Sequence, residues 1–455
     1  MARIAIIGGG ISGLSLAYFI LEKAPSSEIM VFESDKRAGG KIWTEKADGF
    51  LFEGGVNGFL DNRPKTLELS EKICLKPLRS NDASRKRFIY SEGRLHRLPE
   101  SPQAFLSSGL LSVSGRLRVM AEAIIPGNAK EEETLAAFAV RRLGREAYEK
   151  LIDPMASGIY AGNPENLSLR ACFPKVYDLE KNYGGLIRGM FKLKKQKKEQ
   201  GSNEKVGAGP GGVLTSFYNG MGEITDSLQN ILGSKLRLGH KIVSLDKKRD
   251  KYSVILQDGS NIEADIVTIA SPAYSASEML RSLDKRLSGI IAEIPYPSLS
   301  VVCFGYTKET FNFPLDGFGF LIPSREKRRI LGNLWDSSIF PNRAPEGHVL
   351  LRSMIGGARA SELAMENDSR LSDIVKEEAE KIMGIKSEPD LIRIYRHEKA
   401  IPQYTPGHPE RLRNIDSLLM KHKNLFLTGN AYRGIGVNDC IENSYRLAEK
   451  IIEES

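Results

Sequence analysis

The first 35 residues follow the order of a β–α–β unit. Residues 3–7 form a short apolar strand, residues 14–23 place apolar side chains at helical spacing, and residues 28–32 resume a strand. The glycine-rich residues 8–13 join the first strand to the helix. Because a parallel sheet must be covered on both faces, this pattern predicts an α/β domain.

The rest of the chain divides into a helical part and a strand-rich part. Residues 88–190 show mostly helical spacing, clearest at 131–151, and the lysine-rich residues 191–205 predict a flexible connection. Strands are then predicted at 242–245, 252–256, 266–270, 298–306, 317–322, 330–334 and 348–354. A helix at 369–383, a strand at 424–428 and a helix at 438–452 follow, so we expect the end of the chain to complete the nucleotide fold that its start begins.

The composition is that of a soluble globular protein. Of the 455 residues, 27% are charged and 41% hydrophobic, and no stretch approaches the ~18 apolar residues of a membrane-spanning helix. Four cysteines without a CxxC pair and six histidines without an HxxxH spacing argue against disulfides and a zinc site. We therefore expect no signal peptide, no metal, and a cytoplasmic location.

The net charge of +8 is concentrated in two segments. Residues 79–97 and residues 191–205 each contain six basic and two acidic residues, a net charge of +4. Neither segment carries a nucleic-acid recognition motif, so we expect no nucleic-acid partner. The first segment suits an acidic small molecule and the second suits anionic lipid.

A dinucleotide fingerprint lies between the first strand and its helix. Gly8 permits a tight turn, Gly10 lets the backbone approach a pyrophosphate, and Gly13 lets the helix pack against the strand. Glu33 ends the second strand, where its carboxylate can bind ribose hydroxyls and would repel a 2′-phosphate. The pattern predicts dinucleotide binding other than NADP, against the alternatives of an ordinary glycine turn and a solvated glutamate.

Three further glycine-rich segments distinguish a flavin from a nicotinamide cofactor. They lie at residues 37–44, 49–57 and 427–439, and a nicotinamide domain has no need of them. Together with the fingerprint they resemble the flavin amine oxidase superfamily, which includes monoamine oxidases, phytoene desaturases and protoporphyrinogen oxidases. Ordinary loops are the alternative. The resemblance implies non-covalent FAD, with a helix N-terminus facing the flavin pyrimidine.

The residues that the resemblance implies for FAD come from all four glycine-rich segments and one later strand. They are Gly8, Gly9, Gly10, Ile11, Ser12, Gly13, Glu33, Ser34, Gly40, Lys41, Gly55, Val56, Asn57, Gly58, Ile242, Gly429, Ile435, Gly436 and Val437. Cys440 lies beyond the last glycines, and we interpret it as a packing residue.

Four segments resemble the protoporphyrinogen oxidase family more narrowly. They are residues 86–99, 152–164, 316–323 with 331–335, and 437–441. The resemblance implies a six-electron oxidation of protoporphyrinogen IX to protoporphyrin IX with FAD and O₂, releasing H₂O₂ in haem biosynthesis. The flavin then carries the chemistry, and we expect no catalytic side chain, since the sequence offers no paired carboxylates or nucleophile arrangement.

Four residues are candidates for the tetrapyrrole. Arg87 matches the family's propionate anchor, and a guanidinium binds a carboxylate bidentately. Leu321 and Trp335 match positions that sandwich the macrocycle, and Gly158 would keep the cavity wall thin. The alternatives are a solvated arginine, a core tryptophan and an ordinary turn glycine.

The expected fold class is α/β, in three parts. A Rossmann-like FAD-binding domain of the flavin amine oxidase type takes 1–80, 205–275 and 415–455, and a mixed-sheet substrate domain takes 81–100 and 276–414. Residues 101–190 form a mostly helical, membrane-associating domain, and 191–212 a flexible basic linker.

Other functions stay open at the level of sequence. The nearest is a coproporphyrinogen III oxidase that forms coproporphyrin III, whose substrate has four propionates instead of two. A flavin amine oxidase and a non-catalytic FAD-binding scaffold are further alternatives. Apolar residues between 105 and 125 also suit a peripheral contact with the cytoplasmic membrane face, with an ordinary helical core as the alternative. A homodimer and handover of the product to a ferrochelatase stay open as well.

Overall fold

A five-stranded parallel sheet holds the two ends of the chain together. The computed structural model describes residues 2–199 and 211–454. In spatial order the strands are Leu236–Arg237, Glu28–Phe32, Arg3–Ile7, Ile266–Ile269 and Leu425–Leu427. Ile4 of the central strand pairs with Ile29 on one side and Ile266 on the other. The predicted β–α–β unit is confirmed, and the strand near the C-terminus completes its sheet.

Both faces of this sheet are covered, as its apolar strands require. One face packs against the helices Ile11–Lys23, Gly222–Leu232 and Val437–Glu454. The other packs against the helices Ala273–Leu280, Lys285–Ala292 and His408–Leu419 and an antiparallel sheet of the strands Ile242–Lys248, Lys251–Leu256 and Asn261–Ala264.

A seven-stranded mixed sheet is the second large sheet of the fold. Its strands, in spatial order, are Leu391–His397, Leu299–Thr307, His348–Gly356, Ile330–Trp335, Gly319–Leu321, Arg87–Ser91 and Arg94–Arg97. The pairing is antiparallel except between Gly319–Leu321 and Arg87–Ser91. The helix Asp368–Met383 covers one face, which we call the outer face, with Leu371 and Ile374 buried against it.

Smaller sheets and short helices connect the two large sheets. Thr44–Ala47 pairs with Phe50–Glu53, and Leu214–Phe217 pairs with both Phe59–Leu60 and Pro77–Arg79. The helices Pro64–Lys72 and Asp336–Ile339 complete the connection.

Residues 101–199 are helical, as predicted for 101–190. The helices are Pro102–Ser107, Val113–Met120, Leu135–Leu143, Arg145–Ala147, Asp153–Tyr160, Leu169–Cys172, Pro174–Tyr183 and Leu186–Glu199, with a π-helical turn at Tyr148–Ile152. Within the described ranges, no helix is both long and apolar enough to span a bilayer.

The expectation of a flexible linker from residue 191 is wrong for residues 191–199. They continue the helix Leu186–Glu199, whose lysine, glutamine and glutamate residues are good helix formers. The carboxylate of Glu122 accepts the backbone N–H groups of Leu186 and Ile187, a distant cap that no local pattern reveals. The rest of the predicted linker up to residue 210 lies outside the described residues.

Several elements were not predicted, among them one strand of the seven-stranded sheet and one helix on the parallel sheet. The strand Leu391–His397 forms an edge of the seven-stranded sheet, and the helix His408–Leu419 packs on the parallel sheet. The boundaries predicted at 275/276 and 414/415 fall inside the helices Ala273–Leu280 and His408–Leu419.

Candidate functional site

The first glycine loop has the three environments that its spacing predicts. Gly8 has φ +119°, and a Cβ there would lie 2.9 Å from the carbonyl carbon of Ala270. A Cβ at Gly13 would lie 1.9 Å from Gly8 O, so the helix packs closely on the strand end. A Cβ at Gly10 would meet nothing within 4 Å, so this backbone faces open space where a phosphate can approach.

Glu33 lies against this loop. One carboxylate oxygen accepts the Gly9 N–H at 2.7 Å, and the other accepts from Asp35 N at 2.9 Å and Ser34 Oγ at 3.1 Å. The Glu33 carbonyl accepts the His240 N–H, which brings the start of the strand containing Ile242 to the same end of the sheet. The structure therefore brings Gly9, Glu33, Ser34 and Ile242 together.

The second and third glycine segments lie next to the first. The Gly39 N–H donates to Gly9 O at 2.8 Å, and a Cβ at Gly40 would lie 3.3 Å from Gly10 Cα. A Cβ at Gly55 would lie 2.2 Å from Lys41 O. Three loops distant in sequence thus form one continuous backbone cradle, with Gly40, Lys41 and Gly55 in contact.

The turn after Gly55 carries a buried polar atom without a partner. Asn57 Nδ2 donates to Asp336 Oδ1 at 3.3 Å, and Asn57 Oδ1 has no hydrogen-bond partner among the described residues. Val56 packs on the apolar core, and a Cβ at Gly58 would lie 2.6 Å from Thr215 O. A buried amide oxygen of this kind requires a donor, which a ligand can supply.

The C-terminal loop closes the cradle. Gly429 has φ +115°, and a Cβ there would lie 3.6 Å from the same Ala270 that crowds Gly8. Gly436 N–H donates to Asp439 at 3.3 Å as the helix Val437–Glu454 begins, and Ile435 packs on the helical region. The helix is tied to the first glycine loop, because Ser444 Oγ donates to Ser12 O at 2.8 Å.

A buried ionic network lies beneath this cradle, and the sequence analysis missed it. Arg352 donates to Glu53 O and Gly55 O, both at 3.1 Å, and its Nε lies 3.0 Å from the Asp336 carboxylate. Arg343 lies 3.7 Å from the carboxylate of Glu53, which also accepts from Thr44 Oγ1 and Met221 N. Desolvation raises the pKa of Glu53 to about 7. The signal in the sequence that could have revealed this network is a charged residue inside an apolar strand, such as Arg352.

Three of the four predicted substrate residues lie on the inner face of the seven-stranded sheet, the face opposite the helix Asp368–Met383. Arg87 pairs with Gly319, and Ile89 pairs with Leu321. A Cβ at Gly158 would lie 2.8 Å from Leu321 Cδ2, so the helix Asp153–Tyr160 approaches this face. Arg87, Leu321 and Gly158 therefore lie on one side of the sheet.

Arg87 differs from the other arginines of this sheet in the polar partners of its guanidinium. Five of the six contact a polar side chain: Arg94 contacts His96, Arg97 contacts Glu100, Arg352 contacts Asp336, Arg393 contacts Glu45, and Arg396 contacts Asp368. Within the described residues Arg87 has no hydrogen-bond partner for its side chain and lies 5.1 Å from the ring centroid of Phe318. Desolvation lowers the pKa of Arg87, which stays charged and can accept an anion.

The prediction that Trp335 contacts the substrate is wrong. Leu334 pairs with Gly319 on the inner face, so the next residue points to the outer face. Trp335 is 2% exposed, with its ring centroid 5.5 Å from that of Phe88 in the core under the helix Asp368–Met383. It is the core tryptophan that the sequence left as an alternative.

The fold and the cradle together define a class of protein. A parallel nucleotide-binding sheet, an open glycine backbone and a long series of adjoining loops fit an extended dinucleotide, and a separate sheet faces that cradle. This is the architecture of two-domain FAD-dependent oxidoreductases.

Comparison with known proteins identifies the family. The sequence pattern of the family described as "Flavin containing amine oxidoreductase" matches residues 11–452, so this chain belongs to that family. FAD is its cofactor, as predicted, and it is an oxidase.

Individual relatives match over nearly the whole chain. The coproporphyrinogen III oxidase of Bacillus subtilis (strain 168) is 31% identical over 97% of this chain and 96% of its own. The chloroplastic protoporphyrinogen oxidase of Oryza sativa subsp. japonica is 33% identical over 99% of this chain and 88% of its own. The crystal structure of a protein from Exiguobacterium sp. 255-15, provisionally described as a protoporphyrinogen oxidase, superposes with a TM-score of 0.86 at 27% identity and covers 100% of this chain and 99% of its own.

Proposed function

We propose that this chain oxidises protoporphyrinogen IX to protoporphyrin IX, with FAD as cofactor and O₂ as electron acceptor. The observation that carries the proposal is the unpaired guanidinium of Arg87 on the inner face of the sheet, beside the apolar residues Ile89 and Leu321. One exposed cation that has no acidic partner among the described residues, beside apolar side chains, suits an apolar macrocycle with few carboxylates. The protoporphyrinogen oxidases among its relatives support the same substrate class.

The charges on this face favour two propionates over four. The inner-face arginines Arg352 and Arg393 are occupied by Asp336 and Glu45, and Arg94 contacts His96 at the far end of the hairpin. Four propionates would require more free cations than this face offers among the described residues. Coproporphyrinogen III is the second candidate, because the Bacillus subtilis relative carries that name and aligns over nearly its full length.

The residues of this chain bind and orient, and the cofactor carries the redox chemistry. The chemistry that bound FAD supplies is the removal of two electrons at a time, in three rounds, with O₂ reduced to H₂O₂. Arg87 holds a propionate, Leu321 contacts the ring system, and Gly158 leaves room beside Leu321. No side chain need carry a proton in this scheme.

We infer that FAD contacts the predicted cradle residues without a covalent bond. Burial raises the pKa of Cys440 to about 11, so its thiol stays protonated and is a poor nucleophile. The inferred contacts are Gly8, Gly9, Gly10, Ile11, Ser12, Gly13, Glu33, Ser34, Gly40, Lys41, Gly55, Val56, Asn57, Gly58, Ile242, Gly429, Ile435, Gly436 and Val437.

Aerobic assays with the two porphyrinogens test the proposal. Purified holoenzyme is incubated separately with protoporphyrinogen IX and coproporphyrinogen III, and porphyrin fluorescence is followed against an enzyme-free control. We expect a higher kcat/KM with protoporphyrinogen IX. Faster oxidation of coproporphyrinogen III would favour the second candidate, and inertness toward both, with FAD bound, would contradict the enzymatic proposal.

We also propose that the helical region contacts an anionic membrane surface. Five apolar side chains between residues 106 and 124 are exposed: Leu106, Val113, Leu117, Met120 and Ile124. The neighbouring helix Leu186–Glu199 adds exposed Phe191 and several lysines, and Arg188 Nε ties it to Ala123 O at 2.5 Å. An apolar surface bordered by lysines suits peripheral binding to anionic lipid.

Vesicle flotation tests the membrane contact. The triple variant Val113→Ser, Leu117→Ser, Ile124→Ser should lose flotation with anionic vesicles at low salt. Met420→Ser, which alters an exposed apolar side chain elsewhere, should not. Absence of wild-type flotation would refute the contact. A homodimer and handover to a ferrochelatase stay predictions, which sedimentation of each protein alone and of the mixture would test.

A further inference from the structure

One tyrosine hydroxyl hydrogen-bonds to both ends of residues 430–434, which are part of the C-terminal loop described above. Tyr404 is 1% exposed, and its O–H donates to Asn430 O at 2.6 Å. The same oxygen accepts the Gly434 N–H at 2.9 Å. Burial raises the pKa of Tyr404 far above its usual range, so the hydroxyl keeps the hydrogen that the first bond requires.

His408 supports this tyrosine and fixes a third point of the loop. Its ring stacks on Tyr404 with centroids 4.1 Å apart and an interplanar angle of 14°. His408 Nε2 lies 3.0 Å from Tyr432 O, and because a carbonyl only accepts, Nε2 carries the hydrogen. Burial lowers the pKa of His408 to about 4, so the ring is neutral near pH 7. Residues 430–434 are thus held at three backbone groups by two stacked rings.

The loop leads directly into the helix that borders the cradle. Gly434 is followed by Ile435 and Gly436, and the helix Val437–Glu454 starts at the next residue. The N-terminus of a helix carries partial positive charge and free N–H groups, which stabilise nearby negative charge. The position of residues 430–434 therefore sets where this positive end lies.

We propose that Tyr404, supported by His408, is a positioning residue for the flavin. It fixes the C-terminal loop so that the N-terminus of the helix Val437–Glu454 is correctly placed against the isoalloxazine. The proposal rests on the FAD contacts inferred above for Gly429, Ile435, Gly436 and Val437, and not on which porphyrinogen is the substrate. Neither Tyr404 nor His408 was among the sequence-predicted cofactor residues.

A pair of tyrosine variants tests the proposal. Tyr404→Phe removes the hydroxyl but keeps the ring that stacks on His408. Tyr160→Phe is the matched control, because Tyr160 lies in the same aromatic cluster and donates one buried hydrogen bond, to Cys172 O at 3.0 Å, without contacting the loop. Thermal unfolding checks that both variants fold.

The readouts are flavin release, reduction potential and amide exchange, all measured on holoenzyme. We expect Tyr404→Phe, which removes both hydrogen bonds of the hydroxyl, to weaken FAD binding by about tenfold or more and to lower the flavin midpoint potential. Amide hydrogen exchange in residues 430–434 should accelerate in this variant only. Equal effects of both variants on FAD release and potential, or none with Tyr404→Phe, would overturn the proposal. A failed porphyrinogen assay would leave these readouts unaffected.

Discussion

Replacement of Arg87 by alanine removes the strand arginine that has no polar partner within the described sheet. We expect the KM for protoporphyrinogen IX to rise by about 10- to 100-fold with little change in kcat, because a propionate loses a charge-assisted bidentate contact in ground and transition state alike. Steady-state porphyrin fluorescence measures both constants. Arg97→Ala is the control, since Arg97 is paired with Glu100 and points to the outer face. Equal KM values for Arg87→Ala and wild type would remove Arg87 from the site.

Gly158 allows a second test at the scale of one residue. A Cβ at Gly158 would press on Leu321 Cδ2 at 2.8 Å, so Gly158→Ala should displace Leu321 and raise the KM for the porphyrinogen. Combining Gly158→Ala with Leu321→Ala should relieve the clash, so the effects of the two substitutions on KM should not add. Gly289→Ala, at an exposed helix position with open space, should leave the KM unchanged. Additive effects would mean that the two residues act separately.

Single residues also show which features of the site could be predicted from the sequence and which could not. The spacing of Gly8, Gly10 and Gly13 predicted three different environments, because each follows from the local geometry of one strand–helix turn. The prediction for Trp335 was wrong, because which face of its strand lies beside Arg87 depends on how Gly319–Leu321 pairs with Arg87–Ser91, a strand far earlier in the sequence. A step of one residue along a strand reverses the face, and no local pattern identifies which face binds substrate.

At the scale of elements, Glu122 holds the helical region together. Its carboxylate pairs with fully buried Arg142 and caps the helix Leu186–Glu199 through Leu186 N at 2.7 Å and Ile187 N at 2.9 Å. Glu122→Gln removes the nearer of the two carboxylates that pair with Arg142 and leaves only that of Glu180, 3.5 Å from the guanidinium, so the free energy of unfolding should fall by up to about 3–5 kcal/mol. Urea unfolding followed by circular dichroism measures the loss.

A surface pair in the same helix is the control for Glu122. Lys195→Gln removes an exposed pair with Glu199 at 4.0 Å and should change the free energy of unfolding by about 0.5 kcal/mol or less. A similar small effect of Glu122→Gln would mean that the buried pair does not stabilise the region. The helix itself could not be foreseen as ordered, because its cap comes from a residue more than 60 positions earlier.

At the scale of the whole molecule, buried charge connects the glycine-rich cradle to the seven-stranded sheet. Arg352 lies on the large sheet and donates to Glu53 O and Gly55 O of the cradle, while Arg343 lies beside the carboxylate of Glu53. The expected domain types could be predicted from motif order, since glycine spacing and strand patterns are local. This network could not, because Glu53 lies far earlier in the sequence than the other three charged residues, Asp336, Arg343 and Arg352.

The network predicts a pH dependence of stability. The pKa of Glu53 is raised from 4.5 to about 7, so the folded state binds the proton more tightly than the unfolded state. The stability that Glu53 contributes is therefore complete below its unfolded pKa and is lost as pH rises through about 7. Relative to wild type, Glu53→Gln should gain up to about 3 kcal/mol between about pH 5 and pH 8.

Denaturant titrations of wild type and Glu53→Gln across this range isolate the contribution of Glu53. The difference between the two proteins matters, because partly buried His397 and buried His408, whose pKa values are lowered, contribute stability that grows as pH rises over part of the same range. A difference that stays constant with pH would contradict the raised pKa of Glu53.

Anaerobic mixing of the oxidised holoenzyme with protoporphyrinogen IX tests the central claim most directly. Stopped-flow absorbance follows reduction of the flavin, and admission of O₂ follows its return to the oxidised state. We expect rapid bleaching by protoporphyrinogen IX, slower bleaching by coproporphyrinogen III, a large loss of apparent affinity in Arg87→Ala, and full reoxidation by O₂. Flavin that remains oxidised with both porphyrinogens would contradict the proposed function.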